Sequence, residues 1–249
     1  MFNLNQKINA ANSLLALGIT TLGLFMVTDS AQAFTLVDRT DFDDTAFELQ
    51  RTNGDFTELF VAEGRIGNNK GDGERELGLN TATGANVEAG NLVWGDGSDN
   101  VNEYNFSLKY DGSKVTYELG GQTLSSTEFS GSANSIFLRT FAQKDKDNNS
   151  KNFVTLEDLI FNGKSIGSLS SLGGESKDVD YLQLKDISSP FTLTGKTSMK
   201  WTGKNPMRSN LAFQIKVGNS PSPTSVPEPG TIGAIFVTGM AGFALKKKK

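Results

Sequence analysis

The chain has 249 residues, 24 of them basic and 28 acidic, and its formal net charge is −4. It contains neither cysteine nor histidine, which excludes disulfides, thiol nucleophiles, Ser-His-Asp triads and the commonest transition-metal ligands. Four of its lysines stand together at the C-terminus, so the remainder is more acidic than the whole and shows no basic patch for nucleic acid.

The first 33 residues have the three parts of a secretory signal peptide. Lys7 provides the positive charge, and an apolar stretch of 14 residues covers Leu14–Val27. Ala31 and Ala33 occupy the two small-residue positions that signal peptidase reads, so we expect cleavage after Ala33 and a mature chain that begins at Phe34. As a helix, the apolar stretch would cover ~21 Å of a hydrocarbon core ~30 Å thick, which argues against a permanent anchor.

Residues 34–218 carry short alternating runs of apolar and polar residues, separated by turn residues. Asp111-Gly112 and Asn162-Gly163 lie between such runs and predict two β-hairpins, because glycine readily takes the positive φ of a tight turn. "PFTLTG", "SMKWTG" and "NLAFQIKVG" predict three further strands, and "SIFLRTFAQ" predicts a strand with both faces partly buried. The pattern favours an all-β domain, an antiparallel β-sandwich or jelly roll.

One segment of this domain departs from the strand pattern. Phe56, Leu59 and Phe60 recur at helical spacing in "DFTELFVAE", which predicts a short helix there. The two "GDG" triplets, at 71–73 and 95–97, are too short to define an internal repeat.

The C-terminal end has a linker, a short motif, an apolar segment and a basic cluster, in that order. Residues 219–226 are a Pro/Ser linker, Pro227, Glu228 and Pro229 follow, and residues 230–245 are apolar or small. As a helix, residues 230–245 would be ~24 Å long, which predicts a short transmembrane helix. The positive-inside rule places the last four residues in the cytoplasm. These membrane-stop residues are Lys246, Lys247, Lys248 and Lys249.

This ending resembles the PEP-CTERM sorting signal of exported bacterial proteins. The resemblance covers residues 227–249 and implies processing by exosortase, a membrane peptidase-transferase, after transient anchoring in the inner membrane. It also implies a final location at the cell surface or outside the cell, with exopolysaccharide as a candidate partner.

The central domain resembles the exported choice-of-anchor domains, in particular the W group and its cyanobacterial members. The segments that carry this resemblance include "ELFVAEGRIGNN", "SIFLRTFAQ" and "LEDLIFNGKSI". Those domains generally have no assigned activity, so the resemblance implies a location and brings no catalytic residue.

One loop has part of a calcium-binding pattern. Asp145, Asp147 and Asn149 alternate like the first three ligands of an EF-hand loop. Ser150 and Leu156 then stand where that loop needs glycine and a bidentate glutamate. A solvated hairpin loop is therefore the default interpretation, and an irregular Ca²⁺ site is the alternative.

Two glycine- and aspartate-rich loops, "NNKGDGERELG" and "VWGDGSDNVN", allow a lectin-like interpretation in which Trp94 stacks on a sugar. Turn chemistry for the loops and core positions for Trp94 and Trp201 are the default. The carboxylates considered for glycoside hydrolysis, of which no pair stands out, are Glu63, Glu74, Glu76 and Glu103.

The sequence thus predicts a non-enzymatic exported protein that exosortase sorts to the surface or the extracellular matrix. Its parts are a signal peptide (1–33), a β-sandwich domain (34–218), the linker (219–226) and the sorting signal (227–249). Signal peptidase and exosortase are its expected partners during export. The alternative is a carbohydrate- or calcium-binding module on the same scaffold, and no cofactor other than Ca²⁺ is considered.

Overall fold

A computed structural model describes residues 33–66, 76–95, 97, 101–144, 152–174, 177–203, 206 and 209–221. Within these ranges the chain forms two antiparallel β-sheets and one α-helix, α1 (Asp44–Asn53). The seven-stranded sheet has the spatial order β1 (Thr35–Asp38), β11 (Asp178–Lys185), β8 (Ser135–Ala142), β13 (Leu211–Asn219), β2 (Thr57–Arg65), β3 (Leu77–Thr81) and β4 (Asn86–Gly90). The six-stranded sheet has the order β10 (Lys164–Gly173), β9 (Asn152–Phe161), β12 (Phe191–Lys200), β5 (Glu103–Tyr110), β6 (Val115–Leu119) and β7 (Gln122–Ser126).

The main core lies between the two sheets, so the predicted all-β sandwich is confirmed. Alternate residues of each strand point into it, as the two-residue period of a β-strand requires. In β13 these are Phe213, Ile215 and Val217, and in β6 they include Tyr117 and Leu119, all fully buried. Each such apolar side chain contributes roughly 1.5–3 kcal/mol on leaving water.

Both predicted hairpins are present. β5 and β6 are joined at Asp111-Gly112, where Gly112 has φ 97°. The Asp111 carboxylate accepts hydrogen bonds from the backbone amides of Ser113 and Lys114. β9 and β10 are joined at Asn162-Gly163, where both residues have positive φ. The turn residues therefore fixed two strand pairings in advance.

The helix predicted around Phe56–Phe60 is wrong, because this segment enters β2. A β-bulge lies between the Phe60↔Val217 and Glu58↔Gly218 pairs, so Leu59 has no partner of its own in β13. The bulge leaves Leu59 and Phe60 both packed on the main core, whereas an unbroken strand would separate them. The adjacent apolar residues Leu59 and Phe60 at the bulge therefore produced the spacing that the sequence analysis interpreted as helical.

The separation of "PFTLTG" from "SMKWTG" is also wrong, since residues 191–195 of the first and 198–200 of the second belong to the single strand β12. Gly195 is in the middle of β12 and is not a turn residue. A Cβ there would lie 2.8 Å from the ring of Phe106 and 2.9 Å from Leu159, so the glycine is required by close packing.

Helix α1 covers part of the outer face of the seven-stranded sheet. The Asp43 side chain caps its N-terminus by accepting a hydrogen bond from the Ala46 amide at 2.9 Å, and Gly54 ends it in the left-handed region. Phe47 packs into a second apolar cluster with Phe56, Phe137 and Tyr181. Because Phe137 belongs to β8, the prediction that both faces of this strand are partly buried is confirmed.

In the part of the chain that is described, no helix has the length and apolar character needed to cross a membrane. The predicted C-terminal membrane helix, the sorting motif and most of the predicted signal peptide lie outside the described residues.

Candidate functional site

A polar groove lies on the outer face of the seven-stranded sheet, beside helix α1. Strand alternation places it there, since the neighbours of the inward Phe213 and Ile215 in β13 are the outward Gln214 and Lys216. The groove consists of two adjoining depressions of about 380 and 340 Å³. The residues that line both of them are Glu63, Arg65, Gln214 and Lys216.

The bulge in β2 decides which carboxylates face this groove. Val61, Glu63 and Arg65 point outward in the regular part of the strand. The extra residue, Leu59, shifts the alternation so that Glu58 points outward as well. Without the bulge, one register would direct Glu58 into the apolar core.

Strand register aligns a row of polar side chains across the sheet. Tyr181 of β11 lies opposite Arg139 of β8, Arg139 opposite Gln214 of β13, and Gln214 opposite Glu63 of β2. The next position in the row is Gly78 of β3, which carries no side chain. The row therefore crosses four strands and ends at Gly78, beside the side chains of Asn80 and Asn86.

One wall of the groove is a tight ion pair between α1 and β8. The Arg139 guanidinium donates two hydrogen bonds to the Asp44 carboxylate, at 2.6 and 2.7 Å, and the Tyr181 hydroxyl donates a third at 2.8 Å. Burial opposes ionisation of Asp44, but the hydrogen bonds and charge of Arg139 outweigh it and lower the pKa of Asp44. This carboxylate is fully engaged, so we assign it a structural role.

Lys216 occupies a different environment on the groove floor. Its ammonium lies 3.6 Å from Glu58 Oε2 and 4.8 Å from the centre of the Phe47 ring. The distance to Glu58 exceeds that of a direct N–H···O hydrogen bond, and Glu58 Oε2 has no hydrogen-bond partner among the described residues. Burial raises the pKa of Glu58 and lowers the pKa of Lys216, although each group partly offsets the shift of the other.

Glu63 completes the floor as an acceptor. Its carboxylate accepts a hydrogen bond from the Gln214 amide at 3.1 Å and lies 3.5 Å from Arg65 Nε. The groove therefore contains both acceptors and donors. Among the described residues no group of three or more acidic side chains is placed to hold a metal ion.

Trp94 and Trp201 are both buried in the main core, as the default interpretation predicted. Trp94 is 2% exposed and donates its indole N–H to the Arg65 carbonyl, and Trp201 is 3% exposed. Neither ring is available to stack on a sugar.

Of the carboxylates considered for glycoside hydrolysis, Glu63 lies in the groove and Glu103 pairs with Lys196 on the other sheet. Glu76 is in the described part of the chain, next to β3, and Glu74 is outside it. Glu63 and Glu103 belong to different sheets.

The remaining predicted sites fall mostly outside the described residues. Ala33 is described and exposed, but its partner at the predicted signal cleavage site, Ala31, is not. The other predicted residues outside the described ranges are Asp145, Asp147, Asn149, Pro227, Glu228, Pro229, Lys246, Lys247, Lys248 and Lys249. The calcium site and the cleavage sites therefore stay predictions.

Comparison with known families gives a finding about the C-terminus. The family model described as the PEP-CTERM protein-sorting motif matches residues 225–249. The chain carries an exosortase sorting motif. PEP-CTERM sorting implies export and association with the cell surface, as the sequence predicted. No protein among the curated ones matches this chain.

Proposed function

We propose that this protein is a non-enzymatic surface or extracellular-matrix protein whose working part is the β-sandwich. The PEP-CTERM motif at residues 225–249 carries the proposal. In this scheme signal peptidase cleaves after Ala33, residues 230–245 hold the chain in the inner membrane, and exosortase removes the tail. Membership of the choice-of-anchor W group and contact with exopolysaccharide belong to the same proposal.

The end of the sandwich is compatible with removal of the tail. β13 lies between β8 and β2 and ends at Asn219, before the linker is complete. Two hydrogen bonds between the Asn134 side chain and the Ser220 backbone, at 2.7 and 2.8 Å, hold the strand end in place. A cut beyond Pro221 would leave every described strand intact, so processing need not disturb the fold.

The proposal is tested by mass spectrometry of the protein released or displayed by a bacterium that has an exosortase. We expect a mature form that begins at Phe34 and lacks Lys246–Lys249. Glu228→Ala should leave the tail attached. Pro223→Ala, a linker change outside the matched motif, should be processed normally.

Two results would contradict the sorting scheme. One is a mature wild-type protein that retains Lys246–Lys249. The other is equal processing of Glu228→Ala and Pro223→Ala, because the motif would then not be what the enzyme reads.

A further inference from the structure

We propose that the groove on the outer face of the seven-stranded sheet binds a neutral saccharide. Lys216, Gln214 and Glu63 would contact its hydroxyl groups, and Phe141 would pack against a sugar ring. This site differs from the glycine- and aspartate-rich loops that the sequence indicated. The biological role of this binding rests on the surface location proposed above. The binding chemistry itself does not depend on that location.

The first argument is the charge of the groove. Its lining includes four carboxylates and four cationic side chains among the described residues. Their charges cancel, so a polyanion or a polycation would gain little net electrostatic attraction. Binding of a neutral ligand does not require a net charge in the groove.

The second argument is the hydrogen-bonding capacity that the fold leaves in place. The Lys216 ammonium lies 3.6 Å from Glu58 Oε2, which occupies at most one of its donors, and 4.8 Å from the centre of the Phe47 ring. An ammonium has three N–H donors, so donors remain for a ligand. Beside it, Gln214 and Glu63 offer an amide and a carboxylate.

A hydroxyl group suits this mixture of donors and acceptors because it donates and accepts with one atom. It can accept from Lys216 and donate to Glu63, whereas a carbonyl or a carboxylate could satisfy only the donors. Several hydroxyls in fixed positions on one rigid ring would match several groove residues at once. A saccharide is the class of ligand with that property.

The third argument is the shape and the aromatic wall. Each depression is in the range of about 300–1,000 Å³ that small ligands occupy. Phe141 lines the first depression, and the Arg139 guanidinium lies 4.8 Å from the centre of its ring. A partly exposed aromatic side chain next to polar groups fits the apolar C–H face and the hydroxyl edge of a sugar ring.

The test uses the purified full-length chain on a printed array of neutral and acidic oligosaccharides. We expect binding to at least one neutral oligosaccharide, and we expect Lys216→Met and Gln214→Ala each to weaken it at least about tenfold, the usual effect of losing a charge-assisted or buried hydrogen bond. Lys109→Met is the matched control, because Lys109 is an exposed lysine in β5 of the other sheet. Its binding should stay within about twofold of the wild type.

Thermal unfolding of each variant shows whether it is folded. Gln214→Ala removes one hydrogen bond from the Glu63 carboxylate but leaves its ion pair with Arg65 at 3.5 Å. This variant therefore keeps the test decisive if Lys216→Met unfolds. The proposal is overturned if the wild type binds no neutral oligosaccharide, if it binds acidic ones alone, or if folded Gln214→Ala binds as well as the wild type. Each of these results leaves the sorting scheme untouched, since mass spectrometry tests that scheme separately.

Discussion

Removal of the Asp44 carboxylate should destabilise the sandwich strongly, although the contact lies outside the main core. Asp44→Ala deletes the two short hydrogen bonds from Arg139 and the one from Tyr181. The Arg139 side chain is 11% exposed, so its charge would be left largely buried without a partner. Helix α1 would also lose its attachment to β8, and the groove would lose one wall.

The magnitude follows from the burial of the pair. Breaking a buried ion pair by removing one partner costs roughly 3–5 kcal/mol. The Asp44 side chain is 33% exposed, and water would reach part of the vacated space. We therefore expect about 3 kcal/mol, which corresponds to a fall in melting temperature of roughly 6–12 °C for a domain of this size.

The measurement is urea unfolding of residues 34–221 with a double-mutant cycle. Glu48→Gln is the control on the same helix, since Glu48 forms an exposed pair with Arg51 and its removal should cost less than about 0.5 kcal/mol. Arg139→Met combined with Asp44→Ala removes both charges, so the double variant should be more stable than the sum of the two single losses predicts. Additive losses, or a cost below about 1 kcal/mol for Asp44→Ala, would refute the reasoning.

The pH dependence provides a second check. Because the pKa of Asp44 is lowered in the folded state, its contribution is fully present above the unfolded value of about 3.9 and is lost as the pH falls through the lower folded value. The difference in the free energy of unfolding between the wild type and Asp44→Ala should be constant from pH 7 to about pH 5. It should shrink below about pH 3.9. A difference that grows in acid would show that the carboxylate is not stabilised by Arg139.

Three further predictions concern the fold. Phe137→Ala should cost about 3–5 kcal/mol in chemical unfolding, because Phe137 is fully buried at the centre of the cluster under α1; a loss below about 1 kcal/mol would mean that the helix does not cover it. Gly64→Ala should cost about 1–3 kcal/mol in the same assay, since its Cβ would overlap the ring of Phe213; an unchanged stability would contradict the close packing. A chain that ends at Pro221 should melt at the same temperature as one that keeps the whole linker, whereas a chain that ends at Asn210 lacks central strand β13 and should show no cooperative transition in circular dichroism.

Local chemistry made the hairpins predictable from the sequence. Asp111-Gly112 and Asn162-Gly163 lie within a few residues of the strands that they join, so the turn alone specifies the pairing. The helix at Asp44–Asn53 was missed, although Asp43 before it is a recognisable N-cap. Its apolar face is narrow, with Phe47 its one buried side chain, so the helical period was weak.

The groove was not predictable, because its residues come from distant parts of the chain. Asp44 and Arg139 are 95 residues apart, and Glu63 and Gln214 are 151 apart. Their meeting depends on which strands are neighbours and on the bulge at Leu59, which sets the outward residues of β2. A single sequence shows alternation along each strand, but not the register between strands.

The sequence by itself therefore determined the all-β class, two strand pairings and the sorting motif at residues 225–249. Each of these depends on residues that are close together in the chain, either in a turn or in a contiguous signal read by another protein. Tertiary structure alone decided that Lys216 and Glu63 share a groove and that Gln214 lies opposite Glu63. Those outcomes follow from long-range strand pairing, whose free energy belongs to the assembled sheet and not to any local segment.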